Sequence, residues 1–531
     1  MNVRKVIIII GFSVAVGIAL YARFYSFYDT VAFRGDQAGD LYIARGIIEN
    51  NWRPPVGPFL SVSNFQTPPT YYYILAGFYS VLRTPEAITF AFAFMNVAVM
   101  GCMVSVAALL MDDIAGIIMA FLFATSYVMT VESRQIWAPH TLTLFLSISL
   151  LLLLNAFRRR SFVFYLLSVA CYAVALSIYV SPILLLPYYI VMGVRFIRNM
   201  MKTNYLVSFG IVLFCLTICA FPFFAPFMVY EVKHGFPTYG ALVSQSFGPP
   251  AGFIATVRLI IRYGRAFIDN IFGLYRDDFH IRAGVILIFE GAFALWVLLP
   301  IGLGNYLRSK SDRYYRAVTD FVPLWPLVFG SLLLLFFRHD LEVYGLNVFL
   351  PFFFLLLTLA LRLAFASKQP VIVASAICVM IVYLITNIWS IQSDLIRYPR
   401  RDVALASSVA FTIARESARA NISTGDMTVL AYRYPNIYTN YILYPFLYYL
   451  RDYAHYTMPL VSPGNDIDRK VLDRPNTPYV YLICVWYPTV DAAEGNCMSY
   501  FLKHNPLYGK INKPVNFGYA VLMTFQKISA N

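Results

Sequence analysis

Charge is what this sequence has least of. Asp, Glu, Lys and Arg together make up 13% of its 531 residues, about half of the ~25% usual in soluble domains. Over so long a chain that deficit excludes a soluble enzyme. Cysteine is also sparse: there are seven, and none falls in a cluster with zinc-ligand spacing. Cys102, Cys171, Cys215, Cys219 and Cys378 sit inside apolar runs and read as small core residues. Cys215 and Cys219 share helical spacing, but no His or carboxylate stands near them. Internal repeats and low-complexity tracts are absent, so nothing points to a repeat array or a long linker.

Ionisable groups are rare within the apolar runs as well. Glu290 and Arg362 are the clear cases, with His140 near one end of its run. An ion-coupled transporter or flippase needs charge near mid-membrane, at broken helices, so that class ranks last.

What the chain has instead is apolar length, with 60% hydrophobic and 17% aromatic residues. Runs of roughly 20 apolar residues cross a bilayer as helices. About eleven are expected, near 5–24, 86–110, 114–131, 138–157, 162–178, 180–197, 205–228, 283–304, 318–337, 346–366 and 370–390. The first run, Val6 to Leu20, lacks a small-residue cleavage site and reads as a retained span. Segment 71–82 is apolar but short, which suits an interfacial helix.

The formal net charge is +14. No nucleic-acid-binding module surrounds the basic clusters, so nucleic acid is not an expected partner. The clusters instead fall in alternate loops: Arg4 and Lys5, Arg158 to Arg160, Arg195, Arg198 and Lys202, then Arg308 to Arg316, then Lys368. By the positive-inside rule these loops and the N-terminus are cytoplasmic. The expected location is therefore the inner (plasma) membrane, multi-pass, in contact with anionic lipids.

The loops near 25–85, 132–137, 230–282 and 338–345, and all that follows 391, then lie outside. Beyond 391 charge rises and the long apolar runs stop. MTVLAYR (427–433) and YVYLICVW (479–486) read as strands, and 400–419 as a helix. Two domains are expected: a transmembrane bundle over 1–390, carrying amphipathic helices in its first outer loop, and a periplasmic or extracellular α/β domain over 391–531. Cys484 and Cys497 could form a disulfide if that domain is outside the cytosol; the sequence leaves open whether they are bonded.

Chemistry concentrates in the outer loops. Asp36 and Asp40 are four residues apart, so a helix places them on one face. Such a pair binds a cation or supplies a general base; alternatively Asp36 caps a helix and Asp40 is a solvated acid of its first turn. The turn at 132–140 carries Glu132, Arg134, Trp137 and His140. Arg134 suits bidentate phosphate binding, or, with Trp137, an interfacial anchor. A third turn crowds Arg338, His339, Asp340, Glu342 and Tyr344 ahead of a span that starts near Pro351. Segment 230–282 holds Arg258, Arg262, Arg265, Arg276 and His280, and its stretch 252–275 places basic and apolar residues at helical spacing, as in an amphipathic helix on the membrane.

In this order, and on one side of the membrane, these pieces resemble the GT-C superfamily of membrane glycosyltransferases. The nearest likeness is to protein O-mannosyltransferases and the aminoarabinose transferases of lipid A. The residues that carry it are Gly35-Asp36 through Asp40, Pro68-Pro69 with Tyr71 to Tyr73, Ser133-Arg134 with Trp137, and His339, Tyr344 and Pro351. The resemblance implies transfer of a sugar from a polyprenyl-phosphate donor to a lipid, glycan or protein acceptor. It implies catalysis by Asp36 with Asp40 as the second acid, and phosphate held by Arg134 and Arg338. Trp137, His339, Glu342, Tyr344 and Tyr71 would line the substrate site, and a divalent metal ion is an optional cofactor. Where many lipid A transferases carry a Lys just before the Pro-Pro, this chain has Gln66 and Thr67. The competing enzyme reading is a polysaccharide polymerase or ligase that uses a lipid diphosphate, to which the basic residues of 230–282 would correspond.

Overall fold

The computed structural model describes residues 3–58, 66–238, 240, 348–367, 369–393, 402–433, 443–454, 477–485, 499, 501–503, 505–517 and 520–528. In chain order its helices are α1 (Val3–Phe24), α2 (Phe27–Thr30), α3 (Gly35–Asn50), α4 (Thr70–Leu82), α5 (Pro85–Leu110), α6 (Asp113–Thr125), α7 (Tyr127–Glu132), α8 (Ala138–Arg159) and α9 (Phe162–Ile178). A 3-10 turn (Ser181–Leu185) leads into α10 (Leu186–Met201), followed by α11 (Tyr205–Lys233), α12 (Leu350–Ala366) and α13 (Pro370–Gln392). The C-terminal part adds α14 (Asp402–Arg419), β1 (Met427–Arg433), α15 (Leu443–Ala454), β2 (Tyr479–Val485), β3 (Tyr508–Lys510), β4 (Val515–Asn516) and β5 (Ala520–Lys527).

Two compact units result. One comprises residues 1–27, 54–71 and 89–399, the other residues 28–53, 72–88 and 400–531. The first is helical. Among the described residues, five helices are long and apolar enough to cross a membrane: Pro85–Leu110, Ala138–Arg159, Ser181–Met201, Tyr205–Lys233 and Pro370–Gln392. Shorter apolar helices cover Ile8–Phe24, Asp113–Thr125, Phe162–Ile178 and Leu350–Ala366. The expected spans near 283–304 and 318–337, with Glu290, lie outside the described residues, as does the basic segment from 241 to 282.

Helix ends follow local chemistry. Asp112 caps α6, its Oδ1 accepting the Ala115 N–H at 2.9 Å. α8 stops where Arg160 turns left-handed (φ 49°), with Arg158 and Arg159 in the last turn complementing the helix dipole. α8 and α9 pack through small polar residues, as membrane helices do. Ser149 and Ser168 each donate to the other's carbonyl at 2.8 Å, and the Tyr189 hydroxyl donates to Ser149 Oγ at 2.8 Å.

The expected continuous span over 114–131 is broken. α6 ends at Thr125, Ser126 is extended (ψ 123°), and α7 starts at Tyr127. Breaking a helix in an apolar setting is tolerated only when neighbours take up the freed backbone groups. Arg23, fully buried in the last turn of α1, donates to the carbonyls of Phe123 (3.0 Å) and Ala124 (3.3 Å) and to Asn96 Oδ1 (2.7 Å). From α13, the Tyr383 hydroxyl donates to the Leu122 carbonyl at 2.6 Å, and Asn387 Oδ1 accepts the Tyr127 N–H at 2.7 Å. Arg362, expected as an isolated charge within a span, is instead paired: its guanidinium binds both carboxylate oxygens of Asp112, at 2.7–3.1 Å.

The second unit holds a five-stranded mixed sheet in the order β1-β2-β5-β3, with β4 also on β5. β1 and β2 are parallel, Val429 opposite Tyr481, and β5 runs antiparallel to β2, Leu482 opposite Met523. Both faces of the sheet are covered. Val429, Tyr481, Ile483 and Leu522 pack with Val409 and Ile413 of α14 and Phe446 and Leu450 of α15. Leu430, Leu482, Met523 and Phe525 pack on the other side with Phe501 and Tyr508. Burial on both faces explains why β2 is continuously apolar rather than alternating.

Candidate functional site

α3 positions the acidic pair. Its N-cap is Arg34, whose backbone N–H donates to Gln37 Oε1 at 3.0 Å. Asp36 therefore lies in the first turn and is not the cap. The helix closes where the Trp52 N–H returns to the Gly46 carbonyl at 3.2 Å. Here glycine is required, because a Cβ at Gly46 would overlap the Trp52 ring.

Asp36 and Asp40 are one turn apart, as their spacing predicts. Asp36 is accessible, whereas Asp40 is 7% exposed. Desolvation by surrounding protein raises the Asp36 carboxyl above its ordinary value. Asp40 is raised further, first by burial and then by the negative charge of Asp36. Among the described residues neither carboxylate has a hydrogen-bond or ion-pair partner.

The arginines of α3 and its neighbours are engaged with other acids. Arg34 pairs with Asp402 at 3.4 Å. Arg45 binds Glu49 at 3.0 Å and Asp452 at 2.6 Å, and Arg451 also reaches Glu49, at 2.8 Å. The Tyr79 hydroxyl donates to Glu49 at 2.6 Å. Burial acts to raise Glu49, but these hydrogen bonds and the arginine charges outweigh it and hold the carboxyl below its ordinary value. The acids of α3 thus divide in two: Glu49 is neutralised by cations, while Asp36 and Asp40 are left as proton- or cation-accepting groups. Two unpaired carboxylates suit a magnesium-like ion, which takes one or two carboxylates, several waters and substrate phosphate oxygens. Among the described residues no three His, Cys, Asp or Glu groups converge as a complete metal cage.

In the helical unit, Arg134 follows α7 and is 2% exposed. Its Nη2 donates to the carbonyls of Ala22 (2.8 Å) and Tyr25 (2.9 Å), at the C-terminal end of α1. Its guanidinium lies 5.9 Å from the Phe27 ring centre. Burial lowers it to about 10, so it remains a cation at neutral pH. Trp137 is the N-cap of α8 and meets His140 edge-on at 5.1 Å. Tyr71 is fully buried in the first turn of α4. Arg338, His339, Glu342 and Tyr344 lie outside the described residues.

No family model and no curated protein matches the chain. Solved structures do. ArnT from Cupriavidus metallidurans bound to undecaprenyl phosphate aligns over 96% of this chain and 97% of its own, with a TM-score of 0.55 and 14% identity. Its apo state gives 0.56 and 12% over the same shares. The archaeal oligosaccharyltransferase AglB from Archaeoglobus fulgidus, in complex with an inhibitory peptide and a dolichol-phosphate, aligns over 96% of this chain and 73% of its own, with a TM-score of 0.50 and 12% identity. The chain shares its fold with these structures. Within this fold, the sequence placed Asp36 and Asp40 one turn apart on a helix, but two features went unread. One is Arg23, a charge inside the first apolar run. The other is the Glu49–Arg45–Asp452 network, whose members stand up to 407 positions apart in sequence. Arg23 was visible as a lone cation in a span; the network carried no local signal.

Proposed function

We propose that this chain is a membrane glycosyltransferase that moves a sugar from a polyprenyl-phosphate donor to a lipid, glycan or protein acceptor at the outer membrane face. The observation that carries this reading is the likeness to ArnT over nearly the whole of both chains, in a structure that holds undecaprenyl phosphate. The unpaired acids of α3 supply the chemistry. In the proposed step an acceptor hydroxyl attacks the anomeric carbon, the carbon–oxygen bond to phosphate breaks, and the polyprenyl phosphate leaves. The hydroxyl proton passes to Asp36, the accessible member of the pair. A carboxyl raised above its ordinary value is the better base at neutral pH, and two such groups one turn apart titrate as a pair. Inversion at the anomeric carbon follows from a single displacement.

A divalent ion, where one binds, would be held by Asp36 and Asp40 and would neutralise the phosphate leaving group. Arg134, charged at neutral pH, keeps the end of α1 in place, and any part it takes in phosphate binding is in addition to that. The proposed orientation puts the N-terminus in the cytoplasm and the sheet-containing part of the chain outside. It is supported by the alternation of basic loops and by the disulfide at Cys484, since such bonds persist in oxidising compartments. Cys497 lies outside the described residues. The full count of about eleven spans belongs to the same proposal.

The test is sugar transfer by purified protein, wild type beside Asp36→Asn. The donors are a panel of radiolabelled polyprenyl-phosphate sugars, and the acceptor is a membrane-lipid extract with added peptide and glycan. Loss of a general base lowers rates roughly 10²–10⁴-fold; the variant should show that loss with its folding intact. Equal activity in both proteins would remove Asp36 from the mechanism. Turnover of lipid diphosphate donors only would replace the reading with a polymerase or ligase.

A further inference from the structure

At one end of the helical unit the ends of three helices converge. Phe196 of α10 packs against Phe157 of α8 (5.4 Å between ring centres) and stacks on Tyr165 of α9 (5.0 Å). α10 turns there into α11, and between the two helices lies a cavity of about 820 Å³. One face of α10 lines it with Val191, Val194, Arg195 and Arg198, and α11 contributes Leu206 and Phe209. Its composition is divided. Val191, Leu206 and Phe209 are 56%, 79% and 41% exposed, which on helices long and apolar enough to span a membrane means that they face lipid. The arginines stand in the last turns of α10, where the apolar run gives way to polar residues, with Asn199 on the same wall and Lys202 exposed in the connecting turn. Arg198 lies 3.9 Å over the Tyr205 ring, which holds the guanidinium at the mouth of the cavity. No ion pair joins Arg198 or Lys202 to an acid among the described residues.

We infer that this cavity is a binding site for an anionic phospholipid, its phosphate between Arg195 and Arg198 and its acyl chains along Val191, Leu206 and Phe209. A soluble anion would make no use of the apolar walls, and a zwitterionic lipid would bring no net countercharge to Arg198 and Lys202. Basic pockets between membrane helices take anionic headgroups for this reason. The site is separate from the acidic pair of α3 and does not depend on the proposed transferase activity.

Native mass spectrometry of the full-length chain in detergent tests the inference, with phosphatidylglycerol and phosphatidylcholine titrated separately. Wild type should retain one phosphatidylglycerol at lipid concentrations where phosphatidylcholine is lost, and millimolar inorganic phosphate should not displace it. Arg195→Gln/Arg198→Gln should weaken that binding by about fivefold per arginine removed. Arg158→Gln/Arg159→Gln, which removes cations at the same end but outside the cavity, should leave it unchanged. Three results would overturn the inference. Equal loss in both double variants would mean diffuse attraction to the headgroup region. No selectivity for the anionic lipid in wild type would mean the arginines read no headgroup. Absence of any retained lipid would mean that another part of this chain fills the cavity.

Discussion

Asp40 is a residue whose placement works against the fold. It is buried, carries no partner among the described residues, and faces the charge of Asp36. Its folded-state carboxyl is raised, so the native chain holds a proton that the unfolded chain, with a value of about 3.9, releases. Stability from this group is therefore greatest in acid and falls as pH rises from about 4 through the folded value. Asp40→Asn removes the cost of ionisation while keeping the shape. Its melting temperature should exceed that of wild type at pH 7, the gap should close toward pH 4, and sugar transfer should fall. A lower melting temperature at pH 7 would mean that Asp40 has a stabilising partner and is structural. Helical spacing made the pair legible in the sequence. The burial of Arg134 was not legible, because its acceptors are the carbonyls of Ala22 and Tyr25, and backbone acceptors look alike at every position.

At the scale of elements, hydropathy located the apolar helices among the described residues because one physical requirement, a length of apolar surface, defines them. The break at Ser126 was invisible for a related reason. YVMTVE continues the apolar run, and what stops the helix is a set of partners on α1 and α13. That set makes a prediction. Arg23→Met removes the donor to the Ala124 carbonyl and to Asn96 Oδ1, and Asn387→Ala removes an acceptor of the Tyr127 N–H, at about 1–3 kcal/mol for each buried group left unsatisfied. Both variants should melt below wild type in detergent, Arg23→Met by more, since Arg23 donates to three groups outside its own helix and Asn387 accepts one such bond. If α6 and α7 fuse into one straight helix instead, the freed groups pair with each other and the melting temperatures stay level. In the C-terminal part, β1, β2 and α14 announced themselves by composition. β5 had the same apolar character (AVLMTFQK) and went unread, because a run so near the end gives no sign of the strand it will join.

For the whole molecule the orientation is the quantity to measure. A C-terminal alkaline phosphatase fusion should be active in cells, and a C-terminal green fluorescent protein fusion exported by the same route should be dark. The reverse pattern would turn the chain over and move the acidic pair to the cytoplasmic face, where nucleotide sugars would serve as donors.

The contacts between α3 and the C-terminal helices also bear on how the protein is made. Arg34 waits for Asp402, 368 positions later, and Arg45 for Asp452, 407 positions later. At 5–20 residues per second the ribosome takes roughly 20–80 s to supply those partners. Through that interval Arg34 lacks its acid, and Arg45 has only Glu49 of its own helix. Completion of these ion pairs is thus timed by the end of translation, and a chain that stalls before residue 400 would display an incompletely packed helix for quality-control proteases to find.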